Sequence, residues 1–172
     1  MPTTDGMFWQ QLTSVKALLA ASTNFQAWVG TPGNALGAAD MIWEQMDNPD
    51  LTQPRWATLA YAHPWGGPRD VTGVGECAFV IDRDVLVILT WLLDPDLAHT
   101  RANSAAFGQF FGLMLKYFCD NSWGNGAGSL HFTAVRHHWL EKTAVPGDWH
   151  VHEVTTSGRK GYRAAILLEE KR

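Results

Sequence analysis

Apolar residues recur at intervals of three and four along the first turns of this chain. Phe8, Leu12, Val15 and Leu19 fall on one helical face, Leu18 widens it, and Gln10, Gln11, Ser14 and Lys16 fill the remainder. The spacing predicts a helix that starts near Thr4 or Asp5, either of which can accept backbone hydrogen bonds as an N-cap, and ends near Ala21. Ser22-Thr23-Asn24 then forms a small polar break before Phe25, Trp28 and Gly30, and the two aromatic residues are expected to clamp the helix to a sheet. Thr31-Pro32-Gly33-Asn34 interrupts the pattern, Ala38 to Met46 has the composition of a short helix, and the prolines of Asp47 to Pro54 mark a connector.

From Arg55 the period changes to two. Ala57, Leu59 and Tyr61 alternate with Trp56, Thr58 and Ala60, which predicts a strand reaching His63. The segment Pro64-Trp65-Gly66-Gly67-Pro68-Arg69-Asp70 reads as an irregular loop. Glu76 to Ile81 and Val85 to Leu93 are predicted as two strands of a hairpin joined across Asp82-Arg83-Asp84. In the second of them Val85, Val87, Leu89 and Trp91 oppose Leu86, Ile88 and Leu92, so this strand should be covered on both faces.

A second long helix is predicted from Thr100–Asn103 to Asp120, with Phe107, Phe110, Phe111, Met114 and Phe118 as its stripe. Ser104, Gly108 and Gly112 form a line of small residues at spacing four. Glycine weakens a helix interior by about 1 kcal/mol relative to alanine, so this line points to close approach by the sheet or by a neighbouring subunit. Leu130 to His137, Trp149 to Thr155 and Tyr162 to Glu169 read as extended segments, with a turn at Ser157-Gly158-Arg159-Lys160-Gly161. The expected fold is α+β: a single domain over residues 1–172, with a mainly antiparallel sheet of four to six strands packed on two long helices, and loop insertions at about 64–75 and 138–161.

The bulk properties narrow the function classes. At 172 residues the chain can bury a core without metal or disulfide support. A net charge of −4 and a pI near 5.9 leave no large basic surplus for gripping nucleic acid, although local basic patches remain open. Apolar residues make up 46% and charged ones only 17%, with nine tryptophans, which leaves little polar surface for a solitary monomer and favours burial against another subunit. Cys77 and Cys119 sit in apolar segments and read as free buried thiols. The N-terminus lacks the pattern of a secretion signal, and no apolar run approaches the ~20 residues of a membrane span. The expectation is a soluble chain in a reducing cytoplasm.

Candidate chemistry meets a structural reading at every site. His137-His138 and His150-Val151-His152, with His131 or Glu153, have ligand types suited to zinc, but the spacing is not diagnostic and no cysteine accompanies them. The other reading is histidine as an amphipathic residue at strand ends, and no metal is assigned. Gly73-Val74-Gly75 precedes a strand instead of opening a helix and lacks the lysine of a phosphate loop, so it reads as a hinge. Asp82-Arg83-Asp84 and Asp94-Pro95-Asp96 read as turns. No catalytic residue and no cofactor are assigned, and the chain is read as a non-enzyme.

Loop aromatics are a different matter. Trp65, beside Arg69, and Trp123 stand where the backbone is irregular, and tryptophan and arginine are enriched in interface hot spots. With Trp91, Trp149, Gly108 and Gly112 they form the expected interface set. The competing structural reading is that each loop folds back over a sheet edge.

In the order of its elements, the chain resembles the tail terminator and neck proteins of tailed bacteriophages. The carriers are Leu18-Leu19-Ala20-Ala21-Ser22 to Phe25-Gln26-Ala27-Trp28-Val29-Gly30, the strand Val85-Leu86-Val87-Ile88-Leu89, the helix from Asn103, and the strand Tyr162-Arg163-Ala164-Ala165-Ile166-Leu167-Leu168. The resemblance spans most of the chain but is one of pattern. It implies a homo-oligomeric ring, usually six-fold, that caps the tail tube and joins it to the neck or connector proteins at the virion's head–tail junction after assembly in the host cytoplasm. It implies no catalysis and no membrane, with DNA only passing through a lumen. The long Trp65 loop and the histidine-rich segment from His137 to Lys160 depart from the pattern, where terminator, head-closure and tail tube proteins differ. A monomeric carbohydrate-binding module stacking glycans on Trp65 and Trp123 is the other class of function.

Overall fold

A computed structural model describes residues 10–44, 50–61, 70–74, 78–94, 100–121, 134–138, 152–156 and 158–170. The first helix, α1 (Gln10–Ala21), buries Leu12, Val15, Leu18 and Leu19, the face that its spacing predicts. Ser22 ends it and caps the next: its Oγ accepts from the Phe25 backbone N–H at 3.3 Å and opens α2 (Thr23–Trp28). Three of the four carbonyls left over at the end of α1 find partners. The Tyr117 hydroxyl donates to Leu18 O at 2.8 Å, the Ser22 N–H donates to Leu19 O at 3.1 Å, and Gln26 Nε2 donates to Ala20 O at 2.8 Å. Gln26 is buried, and its Oε1 also accepts from the Gly33 N–H at 3.1 Å, fastening the turn where Gly30 and Gly33 take positive φ.

The next helix is shorter and earlier than its composition suggests. Asn34 caps α3 (Ala35–Ala39), and Ile42–Glu44 is a strand, β1, not the continuation of a helix to Met46. It forms because it pairs in parallel with β2 (Arg55–Tyr61), placing Ile42 opposite Ala57, a non-local contact that local composition does not carry. β3 (Asp70–Val74) is a strand where a loop and hinge were expected. It pairs antiparallel with the start of β4 (Ala78–Leu92). The expected hairpin at Asp82-Arg83-Asp84 is therefore overturned: β4 runs unbroken for 15 residues, and the chain reverses between Val74 and Ala78. Asp84 lies directly opposite Glu169, and both are buried.

Thr100 caps α4 (Arg101–Asp120), its Oγ1 accepting from the Asn103 N–H at 3.1 Å. The last strands are β5 (Ala134–His138), β6 (His152–Thr156) and β7 (Arg159–Glu170). The turn ahead of β7 centres on Gly158 at φ 77°, whereas Gly161, expected in the turn, is paired with Leu92 inside the sheet.

Among the described residues the seven strands form a sheet ordered β1-β2-β4-β7-β5, with β3 added to β4 and β6 to β7. Every pairing is antiparallel except β1 with β2. The fold is α+β, as expected, with α1 and α4 as its two longer helices, but the sheet has seven strands where four to six were expected, because β1 and β3 form in segments read as helix and loop. One face of the sheet, carrying Ala57, Leu59, Val85, Val87, Leu89, Tyr162, Ala164, Ile166 and Leu168, joins the buried side chains of all four helices in the main core. The opposite face holds a smaller apolar cluster of Ala60, Leu86, Ala165 and Leu167, with Ile88 against it, composed of strand residues alone.

Candidate functional site

The aromatic stripe of α4 organises the end of the sheet where β2, β4 and β7 meet it. Phe107, Phe110, Phe111, Met114 and Phe118 are all buried. Trp28 stacks on Phe110 with ring centroids 4.1 Å apart and lies 5.9 Å from Phe25. The Phe25–Trp28 pair is thus a clamp, but Trp28 grips α4, where a grip on the sheet was expected. Phe107 lies 6.0 Å from Tyr162 and 6.4 Å from Trp91, and the Tyr162 hydroxyl accepts from the Thr100 N–H at 3.2 Å. Tyr162 therefore ties the capped start of α4 to the centre of the sheet. Arg55 sits 5.0 Å over the Trp91 ring and donates from Nη1 to Trp28 O at 2.9 Å. Arg159, where β7 starts at the same end of the sheet, donates from Nε to Leu93 O and from Nη1 to Leu51 O.

The expected interface residues divide between the core and the surface. Trp91 is half-buried and engaged by Arg55, Phe107 and Tyr162, so its own chain already accounts for it. Gly108 is half-buried and Gly112 exposed, and a Cβ at Gly112 would meet nothing within 4 Å. Among the described residues, therefore, the sheet does not make the close approach at Gly112 that the line of small residues suggested. Trp65, Arg69, Trp123 and Trp149 lie outside the described residues. So do Cys77, His131 and His150.

Cys119 is exposed, not buried as expected: it follows Phe118 on α4 and points away from the stripe that holds the helix down. The pattern around it is apolar on the core side alone. The backbones of His138 and His152 come together, opposite Ala165 and Arg163 on one edge of β7, because β5 and β6 lie in line along it. Among the described residues no group of three or more histidine, cysteine or carboxylate side chains is placed to hold a metal ion.

Titration at the surface is local. Hydrogen bonds from the Thr52 side chain and backbone lower the Asp50 carboxyl, and a 2.6 Å hydrogen bond and ion pair with Asp120 raises Lys116. Burial raises the Tyr117 hydroxyl above its ordinary value of 10.0. Each belongs to a turn or a helix contact.

Sequence pattern did not reveal the edges of the sheet. Among the described residues it ends on one side in β1, a three-residue parallel strand, and on the other in the in-line pair β5 and β6, between which the chain leaves for residues 139–151. The only signals were Ile42-Trp43-Glu44 and the histidine-rich strand ends. Comparisons of the chain with protein-family models, with curated proteins and with solved structures found no match.

Proposed function

We propose that this protein is a structural subunit that assembles into a closed ring, and that its place is the head–tail junction of a tailed bacteriophage, as the tail terminator that caps the tube and joins it to the neck. The observation that carries the reading is a sheet that, among the described residues, ends in two unlike edges. β1 offers a short parallel edge, and β5 with β6 an antiparallel one. An unpaired edge is a template for another strand. Two different edges on one subunit suit a heterologous, head-to-tail contact, which closes into a ring when the rotation per subunit divides a full turn.

The resemblance in element order supplies the finer identity, and the acidic balance of the chain suits a lumen through which DNA slides without sticking. The same geometry serves a head-closure or tail tube protein, which the choice of partner separates. No helix among the described residues is long and apolar enough to cross a membrane. Electron microscopy of the purified full chain, alone and mixed with tail tubes, tests the proposal. Rings, or an added density at one end of the tubes, are expected; monomers that leave the tubes unchanged overturn it.

A further inference from the structure

Strand direction and backbone alternation limit how the two edges of the sheet can meet. β1 runs with β2, and β2 runs against β4, whereas β4 and β5 both run against β7, so β1 and β5 point in opposite directions. A copy rotated about an axis along the strands keeps those directions. Its β1 therefore arrives antiparallel to the β5 edge of the copy before it, the more stable way to extend a sheet.

The backbone groups of successive strand residues turn to opposite sides, and two hydrogen bonds fix which of them turn outward. Leu93 N–H donates to Lys160 O at 2.8 Å, so the odd-numbered residues of β4 bond the even-numbered ones of β7, whose odd-numbered residues turn to β5. Ala134, Arg136 and His138 stand opposite those odd-numbered residues and bond them, which turns Val135 and His137 outward. On the other edge Ala57 N–H donates to Met41 O at 3.0 Å, so Trp43 turns to β2 and Ile42 turns outward. A new antiparallel pair needs outward residues facing each other. Ile42 opposite His137 meets that condition and lays all three residues of β1 against β5, with Trp43 opposite Arg136 and Glu44 opposite Val135.

The residue types on the two edges are an independent observation. Residues 40–50 hold Asp40, Glu44, Asp47 and Asp50 and no lysine, arginine or histidine, while β5 holds Arg136, His137 and His138 and no acid. Trp43 and Arg136 fall at a non-hydrogen-bonded position, where an antiparallel pair brings side chains closest, and a guanidinium is attracted to an indole ring. Ile42 lies level with Ala164 across the sheet and His137 with Ile166, so the pairing staggers successive copies by two residues. Closing a sheet on itself requires a stagger.

Resting on the ring reading, we propose that β1 of one copy pairs antiparallel with β5 of the next, Ile42 opposite His137, so that the sheet runs on from subunit to subunit. The partner at each edge is a second copy of this chain. An acidic edge meeting a basic one at every junction gives the ring a single direction.

Disulfide trapping, with the full chain alone and with tail tubes, tests the pairing separately from the ring. In a Cys77→Ser, Cys119→Ser background, Glu44→Cys and Val135→Cys place thiols on Cα atoms about 5.5 Å apart at the junction, within disulfide range. Inside one chain the same positions are about 19 Å apart across four strand spacings, beyond it. Oxidation should give a ladder of covalent oligomers from the double variant and only monomers from either single variant. An equimolar mixture of the two single variants should stop at dimers. Glu44→Cys with His137→Cys, slipped by two residues, should trap about fivefold more slowly. Arg136→Glu should raise the concentration needed for rings about tenfold, with the circular dichroism of the monomer unchanged. Rings in mass photometry that the 44–135 pair does not trap, that the slipped pair traps as fast, or that Arg136→Glu leaves as they were overturn the pairing and leave the ring standing. Monomers at every concentration, with and without tubes, overturn both.

Discussion

Gly161 sits inside β7 opposite Leu92 of β4, with Val154 of β6 on its other side. A Cβ at Gly161 would run into the Trp91 carbonyl oxygen and lie 3.0 Å from Leu92 Cα and Cδ2. The nearest obstacle is backbone, which cannot swing aside as a side chain can, so Gly161→Ala forces β4 and β7 apart at the point where Leu93 also donates to Lys160 O at 2.8 Å. Overpacking of this kind costs about 1–3 kcal/mol, here at the upper end, and the loss of glycine's unfolded-state freedom offsets about 0.5–1 of it. The net is about 2 kcal/mol, which for a chain of this length lowers the melting temperature by about 4–8 °C. Gly112→Ala is the contrasting substitution, because its Cβ enters open space on a helix and raises stability by about 1 kcal/mol. Thermal and urea unfolding of the three proteins at matched concentration reads both signs. A Gly161→Ala protein as stable as the parent would refute the β4–β7 register on which the whole sheet rests.

Tyr117→Phe removes the donor to Leu18 O and should cost about 1 kcal/mol. Because burial raises the folded Tyr117 hydroxyl above 10.0, its stabilising contribution is complete below that pH and is lost as pH rises through the folded value. Urea midpoints measured from pH 8 to 11 should therefore fall more steeply for the parent than for Tyr117→Phe. Ser22→Ala removes the cap of α2 and should lower stability by about 1 kcal/mol in the same assay. Trp28→Ala should cost about 3 kcal/mol or more, since it empties the stack on Phe110 and strips α2 from α4, and a loss under 1 kcal/mol would contradict that packing.

The helices were legible because their information is local. Leu12, Val15, Leu18 and Leu19 declare one face of α1, and Thr100 with the Phe107–Phe118 stripe bounds α4 to within a residue or two. The strand alternation around Val85–Leu92 was equally readable. The misread strands share one cause, which is pairing between distant segments. Asp82-Arg83-Asp84 has turn residues, yet β3 on one stretch and β7 on the next hold it extended. Ile42–Glu44 looks helical until β2 lies beside it, and Gly161 looks like a turn until Leu92 lies opposite. At the candidate surfaces, the tryptophan Trp91 proved to serve its own chain, while of the line of small residues only Gly112 proved to be exposed. Composition shows that apolar residues are in surplus; only packing shows which of them the chain itself consumes.

Assembly through two unlike sheet edges is the work proposed for this chain. Mass photometry of the purified full chain across a dilution series measures it most directly. A discrete species at a fixed multiple of the 19.1 kDa chain is expected, with six copies as the ring, persisting over the series or appearing once tail tubes are added. A single monomer peak at every concentration, with and without tubes, would contradict it.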